Sequence, residues 1–187
     1  MEAKIVYFAE PGKKNTDEVL RLAKLRAAEL GIKGILVAST SGDTAIRAME
    51  VFKGARVVAV SHFTGMMEPN TQEFTEENRK KVLSAGGTVL TTTHTFSGLG
   101  RAMRKKFKMY LFEEMVANTL RMFGQGMKVV CEITLMAADA GLVRTDEDII
   151  VIGGTGRGAD TAVVLRPVNS EDFFDLKVKE ILCKPLL

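Results

Sequence analysis

One short turn concentrates hydroxyl groups around a glycine, and its sequence is Ser39-Thr-Ser-Gly-Asp-Thr44. It follows an apolar, strand-like run at residues 35–38 and precedes a segment with helical periodicity. The first amides of a helix lack intrahelical partners and carry the positive end of the helix dipole, so a turn of this composition can surround an anion with N–H and O–H donors. The sequence therefore predicts an anion site, and phosphate is the anion that suits it best.

Plain helix capping is the alternative explanation of this turn. Ser, Thr and Asp side chains accept hydrogen bonds from the first amides of a helix, and Thr40, Ser41 or Asp43 could each do so here. The turn holds more hydroxyl groups than one cap uses, which favours anion binding. Gly42 supports the same interpretation, because a residue without a Cβ lets the backbone approach a bound group closely.

A glycine loop, defined here as residues 154–158, follows a second apolar run. The spacing Gly154-x-Gly156-x-x-Ala159 resembles a dinucleotide-binding fingerprint, but that motif needs a helix directly after it, and residues 162–165 are β-prone instead. We therefore reject a Rossmann site and expect the loop to join two strands. It is either a mobile flap that closes its amides and Arg157 over a phosphate or a ring, or a plain hairpin with an exposed arginine.

Both histidines, His62 and His94, are expected just past the ends of strands, where general bases and ring-contacting groups are often placed. Neither lies in the spacing of a metal-binding motif, so no metal site is predicted. A catalytic Ser41 activated by one of them is conceivable, although the chain has no G-x-S-x-G turn.

Basic residues recur at helical spacing after the second histidine and predict one stripe on a helix, made of Arg101, Arg104, Lys105 and Lys108. We interpret the stripe as a solvated face or a subunit contact, because no aromatic residues are interleaved with it as on a nucleic-acid surface. The methionines between Met103 and Met136 are typical of a core or an oligomer contact. A homo-oligomer is expected, and no nucleic-acid partner.

Strand-like apolar runs alternate with helical patterns along the chain. The predicted strands are residues 4–8, 34–38, 56–61, 88–92, 148–152 and 162–165, with a further edge strand at 175–182. The predicted helices are residues 15–30, 44–52, 75–85, 98–123 with a break near Lys106, and 127–140. In the first helix, Asn15 and Glu18 suggest a capping box, and the apolar face comprises Val19, Leu20, Ala23, Ala27 and Leu30.

This alternation predicts an α/β fold with parallel strands, right-handed crossovers and helices on both faces of the sheet. In such a sheet ligands bind beyond the carboxyl ends of the strands. The turn at Ser39 and the loops at His62 and Thr93 follow three successive strands, so we expect them to share one rim.

Length and composition fit a single domain spanning residues 1–187. The chain is 46% hydrophobic and 26% charged, its net charge is +3, and no apolar run approaches the length of a membrane span. Cys131 and Cys183 lie in neither metal nor redox spacing and are expected to be buried thiols. The N-terminus is acidic and lacks a long apolar stretch, so we expect no signal peptide, no membrane partner and a cytoplasmic location.

Two stretches resemble the C-terminal domain of pyruvate kinase. The segment Ala38-Ser-Thr-Ser-Gly-Asp-Thr-Ala45 resembles the T-x-S-G-x-[ST]-A phosphate-binding turn of that domain. The segment Asp148-Ile-Ile-Val-Ile-Gly-Gly-Thr-Gly, followed by Thr161-Ala-Val-Val-Leu-Arg-Pro, resembles its closing hairpin. Their order and separation agree as well, so the resemblance spans most of the chain as far as Pro167.

The resemblance implies a three-layer α/β/α sandwich with a mainly parallel sheet and a partly antiparallel last strand pair. It also implies that Thr40 to Thr44 hold a phosphate, which in the resembled domain belongs to an allosteric sugar bisphosphate, and that the glycine loop lies over it. A chain of 187 residues has no room for the barrel that carries pyruvate kinase chemistry, so we expect no phosphoryl transfer from phosphoenolpyruvate.

The chain looks more like the stand-alone archaeal proteins that resemble this domain, a group with which flavin mononucleotide (FMN) has been associated. FMN is therefore the expected cofactor, with Phe63, Phe96 and His94 available for stacking on its ring. We expect a ligand-binding protein; a flavin-dependent reductase or a small hydrolase using Ser41 or His94 is the alternative, and a purely structural subunit is a third. The predicted ligand-contacting residues are Ser39, Thr40, Ser41, Gly42, Asp43, Thr44, His62, Phe63, Thr93, His94, Thr155 and Gly156.

Overall fold

The computed structural model describes residues 3–186, and its elements follow the predicted order with ends shifted by a few residues. The strands are β1 (Val6–Phe8), β2 (Gly34–Ala38), β3 (Arg56–Ser61), β4 (Thr88–Thr91), β5 (Ile149–Gly153), β6 (Thr161–Arg166) and β7 (Lys177–Pro185). The helices are α1 (Thr16–Leu30), α2 (Asp43–Val51), α3 (Glu76–Ser84), α4 (Gly98–Phe107), α5 (Phe112–Arg121) and α6 (Gln125–Asp139). Short 3-10 helices occupy Lys13–Asn15 and Ser170–Asp175.

Helix α1 forms as its apolar spacing predicts, with two differences at its ends. Gly31 ends it in the left-handed conformation at φ 66°, which glycine adopts without steric cost. The expected capping box is wrong: no side chain caps the helix, and the Asn15 amide donates to the carbonyl of Glu10 at 2.8 Å. Leu30 belongs to the same apolar face but is 44% exposed, because the helix ends there.

The long helix predicted at residues 98–123 is two helices, α4 and α5. The chain leaves α4 at Lys108, which adopts φ 59°, and α5 starts at Phe112. The predicted break therefore exists, a few residues later than Lys106. It lets the two helices turn against each other, and Nε of Arg104 in α4 lies 3.0 Å from Oε1 of Glu114 in α5.

The sheet has the strand order β1-β7-β6-β5-β2-β3-β4. Strand β2 lies between β5 and β3 and is parallel to both, with Val37 opposite Ile152 on one side and Ala59 on the other. Strand β4 continues the parallel set beside β3, while β6 is antiparallel to both β5 and β7. The sheet is therefore mainly parallel with an antiparallel closing hairpin, as expected, and the strands β5, β2, β3 and β4 end on one rim.

The prediction that the last strand lies at a sheet edge is wrong. Strand β7 lies between β6 and β1, with Cys183 opposite both Ala162 and Val6, and the edges are β1 and β4. The alternating segment at residues 175–182 covers mainly the more exposed half of the strand, whereas Leu182, Cys183 and Pro185 are buried. Only the pairing with β1, far away in the sequence, makes this an interior strand.

Two hydrophobic clusters cover the two faces of the sheet. Helices α1, α2 and α3 contribute Leu20, Ala48 and Val82 to one cluster. Helices α5 and α6 contribute Ala117 and Ile133 to the other. This arrangement is the predicted α/β/α sandwich, and it places α2 and α5 on opposite sides of the sheet.

Both cysteines are buried free thiols, as predicted. Burial raises the pKa of the Cys131 thiol to about 12, and burial likewise raises that of Cys183 to about 12. Neither thiol is therefore a nucleophile near neutral pH. Separately, no helix within residues 3–186 is both long enough and apolar enough to span a lipid bilayer.

Candidate functional site

A cavity of about 1080 Å³ opens at the carboxyl ends of the central strands. Its walls come from the turn after β2, the starts of α1 and α2, the loops after β3 and β4, the glycine loop, and helices α4 to α6. Eight of the twelve predicted site residues line it, namely Ser39, Thr40, Ser41, Asp43, Thr44, His62, His94 and Gly156. The four others, Gly42, Phe63, Thr93 and Thr155, do not line it.

The turn at residues 39–44 divides its hydroxyl groups between capping and the cavity. Ser39 is buried, and its Oγ accepts a hydrogen bond from the amide of Ala45 at 3.2 Å. Thr40 and Thr44 line the cavity, and within the described residues no hydrogen bond joins either hydroxyl to another group. The helix cap is therefore supplied by Ser39 rather than by Thr40, Ser41 or Asp43, and the hydroxyls of Thr40 and Thr44 are not used in capping.

Helix α3 holds the outer side of this turn. Oγ of Ser41 donates to Oδ2 of Asp43 at 3.0 Å, and the side-chain amide of Asn78 donates to the Ser41 carbonyl at 3.0 Å and to Oδ1 of Asp43 at 3.2 Å. Gly42 faces the same way, because a Cβ there would lie 2.6 Å from Cβ of Asn78. This contact explains why Gly42 does not line the cavity, and it leaves Ser41 without a histidine partner.

The glycine loop contributes to the cavity wall and is anchored at its base by Asp160, which is fully buried. Its Oδ2 accepts hydrogen bonds from the amides of Gly12 at 2.9 Å and Thr155 at 3.0 Å. The amide of Thr155 is thus used inside the protein, and Thr155 does not line the cavity. The loop joins β5 to β6 as predicted, and Gly154, Gly156, Arg157 and Gly158 do line the cavity.

A carboxylate bridges the glycine loop to the first histidine. Nδ1 of His62 lies 2.6 Å from Oε2 of Glu73, and Nη2 of Arg157 donates to Oε1 of the same carboxylate at 3.3 Å. An acceptor at Nδ1 places the proton on that nitrogen and leaves Nε2 as the basic atom. Glu73 was not predicted as a site residue, because it lies in a loop with no local pattern.

The second histidine is buried between acceptors. Nε2 of His94 lies 3.4 Å from the carbonyl of Ser61, and Nδ1 lies 3.5 Å from Oε2 of Glu132. The ring of Phe63 packs edge-on against His94 at 5.7 Å between centroids. Phe63 therefore supports the histidine from outside the cavity, while Phe96 lines the cavity wall directly.

Helix α6 contributes a buried ion pair that was not predicted from the sequence. Nζ of Lys128 hydrogen-bonds to Oε2 of Glu132, one turn later, and Oε1 of Glu132 accepts from the amide of Phe96 at 3.0 Å. Both side chains are more than 90% buried and line the cavity. The available signal was a Lys and a Glu four residues apart in an otherwise apolar helix.

The pKa values of both members of this pair fall, which favours the charged form of Glu132 and disfavours that of Lys128. Burial by itself raises the pKa of Glu132, but hydrogen bonding and charge from His94 and Lys128 outweigh that effect and lower its pKa to about 2. Burial lowers the pKa of Lys128, against the opposing effect of Glu132. Glu132 is therefore the firmly ionised centre of the inner wall.

The basic stripe of α4 is not a uniformly solvated face. Arg101 and Arg104 turn toward the cavity, whereas Lys105 and Lys108 are exposed. Within residues 3–186, no group of three or more His, Cys, Asp or Glu side chains is placed to hold a metal ion.

Comparison with known proteins identifies the family to which the chain belongs. A family model described as the pyruvate kinase alpha/beta domain matches residues 17–165. One solved pyruvate kinase from Cryptosporidium parvum is similar at 12% identity over 82% of this chain and 23% of the enzyme, with a TM-score of 0.42. A second structure of that organism's enzyme shares 11% identity over 82% of this chain and 22% of the enzyme, with a TM-score of 0.41.

The chain spans less than a quarter of the length of these enzymes. The family model, in contrast, covers most of the chain, including the turn after β2 and the hairpin of β5 and β6. The protein therefore belongs to the family of the pyruvate kinase alpha/beta domain.

Proposed function

We propose that this protein binds a phosphorylated ligand, with the phosphate in the turn between β2 and α2. The observation that supports the proposal is that capping and the cavity use different residues of that turn. Ser39 caps the helix, while the hydroxyls of Thr40 and Thr44 lie on the cavity wall without partners among the described residues. The first amides of α2, at Asp43 and Thr44, are also unpaired within residues 3–186. Donors of both kinds at a helix N-terminus are what a phosphate requires.

The charge of the cavity supports an anionic ligand. Seven basic and four acidic side chains line it, so its formal charge is positive. The backbone of Lys13 packs against the glycine loop, since a Cβ at Gly158 would lie 2.5 Å from the Cα of Lys13, and Lys13 is in none of the ion pairs of the described residues. The basic side chains are Lys13, Arg47, Arg101, Arg104, Arg121, Lys128 and Arg157.

FMN is the ligand we favour. It combines one terminal phosphate with a flat ring, and a cavity of about 1080 Å³ is at the upper end of the size usual for small-molecule sites. Phe96 and His94 on the inner wall offer aromatic contacts to the ring. The proposal does not include transfer of a phosphoryl group from phosphoenolpyruvate.

An absorbance spectrum of the freshly purified protein, followed by calorimetric titration, tests the proposal. We expect FMN to bind more tightly than riboflavin, which lacks the phosphate, by at least about tenfold, the value of one charged hydrogen bond. Equal affinities would mean that the turn does not hold the phosphate. A protein that shows no flavin absorbance and binds neither FMN nor sugar phosphates would remove the proposal altogether.

An enzyme that uses the same pocket, a flavin-dependent reductase or a small hydrolase, is the second candidate, and His62 supplies the observation that favours it. Glu73 orients this ring, and within the described residues Nε2 has no partner. An oriented imidazole with a free nitrogen on a cavity wall is suited to general base catalysis. Turnover that is lost in His62→Gln or His94→Ala would favour this candidate; binding without turnover over a broad substrate panel would count against it.

We also propose a homo-oligomer, assembled through an apolar face on α5. The face consists of Phe112 and Met115 on one side of α5, Met122 directly after the helix, and Phe174, whose ring lies 6.2 Å from that of Phe112. All four are more than 60% exposed, which is unusual for a monomer.

A second copy of the chain is the partner that the surrounding charges favour. Lys105, Lys106 and Lys108 precede the apolar face in the sequence, and Glu171, Asp172 and Asp175 flank Phe174. A twofold axis through the face can bring the basic group of one copy against the acidic group of the other.

A further inference from the structure

Two polar atoms on the inner wall of the cavity lack partners. Glu114 of α5 is 6% exposed; its Oε1 pairs with Nε of Arg104 at 3.0 Å, but its Oε2 is buried without a hydrogen bond among the described residues. Oγ of Ser97, the residue before α4, is also buried without a hydrogen bond to any described residue. Both residues line the cavity that holds the proposed phosphate site.

An unpaired buried carboxylate oxygen requires an explanation, because nearly all buried polar atoms in folded proteins have a partner. An ionised carboxylate can only accept hydrogen bonds, so the missing partner must be a donor. Ser97 offers both a donor and an acceptor. The wall around Glu114 is therefore matched to a group that carries an N–H or an O–H.

Close packing holds Glu114 in this position. A Cβ at Gly100 would lie 2.5 Å from Oε1 of Glu113 and 3.4 Å from Cγ of Glu114, so α4 and α5 touch at this glycine. The ion pair with Arg104 fixes the other end of the carboxylate. The side chain is thus held between two helices, which is how a binding group is preorganised.

The position of Glu114 relative to the turn defines the shape of the ligand. Helix α2, which carries Thr44, packs on one face of the sheet, and α5, which carries Glu114, packs on the other. The two groups therefore stand on opposite walls of one cavity. A single ligand that reaches both is elongated, with its phosphate at one end.

We propose that Glu114 accepts a hydrogen bond from an N–H at the end of the ligand remote from the phosphate. Arg101, which lines the same wall and forms no ion pair within residues 3–186, donates to a carbonyl beside it. The ligand class is then a phosphorylated heterocycle with an imide or amide edge, of which the flavin ring is one example. This inference rests on the proposed function for its phosphate end only.

The variant Glu114→Gln tests the inference, with Glu113→Gln as its matched control. The substitution replaces the free acceptor by an amide N–H, which repels a donor, while leaving a carbonyl oxygen for Arg104. Glu113 is the preceding residue of the same helix and does not line the cavity. Dissociation constants are measured by calorimetry for FMN, riboflavin, 3-methylriboflavin and inorganic phosphate, with circular dichroism to confirm folding.

We expect Glu114→Gln to weaken binding of both FMN and riboflavin by about tenfold or more, and to leave inorganic phosphate unaffected. Glu113→Gln should bind all of them as the natural protein does. The natural protein should bind 3-methylriboflavin, which lacks the imide N–H, more weakly than riboflavin by a similar factor, and Glu114→Gln should remove that difference.

The possible failures are distinguishable. FMN that binds no better than riboflavin, with both weakened by Glu114→Gln, would refute the phosphate site and support the imide contact. Unchanged flavin affinity in Glu114→Gln would overturn the imide contact and assign a buried water to Oε2. A natural protein that binds neither flavin would overturn both.

Discussion

The side-chain oxygen of Ser39 accepts a hydrogen bond from the backbone amide of Ala45, 3.2 Å away. This single contact caps α2 from a residue that precedes the helix by four positions. As a result the threonines of the turn are not needed for capping. Capping therefore does not use the residues that we propose for an anion site.

The hydroxyl of Thr44 is therefore expected to contribute to ligand affinity. Thr44→Val keeps the shape of the side chain and removes the donor, so the affinity for FMN should fall about tenfold, as for one hydrogen bond to a charged group. Riboflavin binding should not change, because riboflavin has no phosphate. Calorimetry measures both.

The control for Thr44→Val is Thr119→Val. Thr119 is exposed on α5, donates to the carbonyl of Met115 at 3.1 Å and does not line the cavity. It should bind FMN as the natural protein does. If Thr44→Val kept full affinity for FMN, the hydroxyl would not touch the phosphate.

Gly42 is expected to be essential for packing between the turn and α3. It adopts φ 102°, and a Cβ would lie 2.6 Å from Cβ of Asn78 and 2.8 Å from the ring of Phe74. Gly42→Ala should lower the free energy of unfolding by about 3 kcal/mol, from left-handed strain together with overpacking. Urea denaturation gives this value.

Gly54→Ala separates the two contributions. Gly54 also has a positive φ, 82°, but a Cβ there would meet no atom within 4 Å. Its cost should be about 1 kcal/mol, from backbone strain alone. Equal costs at the two positions would show that the contact with α3 is easily relaxed.

The buried carboxylate of Glu132 makes stability depend on pH in the acid range. Its pKa in the folded protein is lowered to about 2, whereas an unfolded chain has the ordinary value near 4.5. The ionised form therefore stabilises the fold above pH 4.5, and this contribution, about 3 kcal/mol, is lost as the pH falls from about 5 to 2. Urea denaturation across this range measures the loss.

Glu132→Gln should be less stable than the natural protein at pH 7, because it leaves Lys128 buried without its partner. It should also lose less stability between pH 5 and 2. Glu50→Gln, at an exposed position of α2, serves as the control and should follow the natural curve. If the natural protein lost no more stability between pH 5 and 2 than Glu132→Gln does, the pair would not ionise as described.

The apolar face of α5 predicts a dimer that can be separated by mutation. Light scattering after gel filtration should give about twice the chain mass of 20.4 kDa. Phe112→Ser combined with Met115→Ser should give the monomer, because both side chains are more than 60% exposed at the centre of the face. High salt should weaken the dimer, since charges at the rim contribute to it.

Leu25→Ser is the control for the dimer, because Leu25 is 51% exposed on α1, on the opposite side of the sheet from α5. It should leave the mass unchanged. A natural protein that runs as a monomer at all concentrations would refute the interface, and binding of that monomer to anionic lipid vesicles would assign the face to a membrane surface instead.

The elements near the predicted phosphate turn could be read from local sequence. Apolar residues at 35–38, the polar turn and the helical spacing after it occur in one continuous segment, and the structure has β2, the turn and α2 there. The hairpin of β5 and β6 could be predicted in the same way, since the glycine loop and both apolar runs are contiguous in the sequence. Turn residues and hydrophobic periodicity depend only on neighbouring residues, so they predict these elements without knowledge of the fold.

The partners of the site residues could not be predicted from the sequence. Glu73, Glu114 and Glu132 lie in a loop and two helices, and their contacts with His62, Arg104 and His94 join residues from 10 to 38 positions apart. Contacts between single charged residues that lie far apart in the sequence produce no periodic pattern. The inward orientation of Arg101 and Arg104 likewise depends on how α4 packs against α5.

The sequence by itself determined the strands, the helices, the donor-rich turn and the family resemblance, because each is encoded in neighbouring residues. The tertiary structure decided that β7 pairs with β1, that Ser39 rather than Thr40 caps α2, and that Glu114 and Glu132 face the cavity. These outcomes depend on which surfaces meet when the helices cover the two faces of the sheet. Such long-range packing is fixed only by the folded chain as a whole.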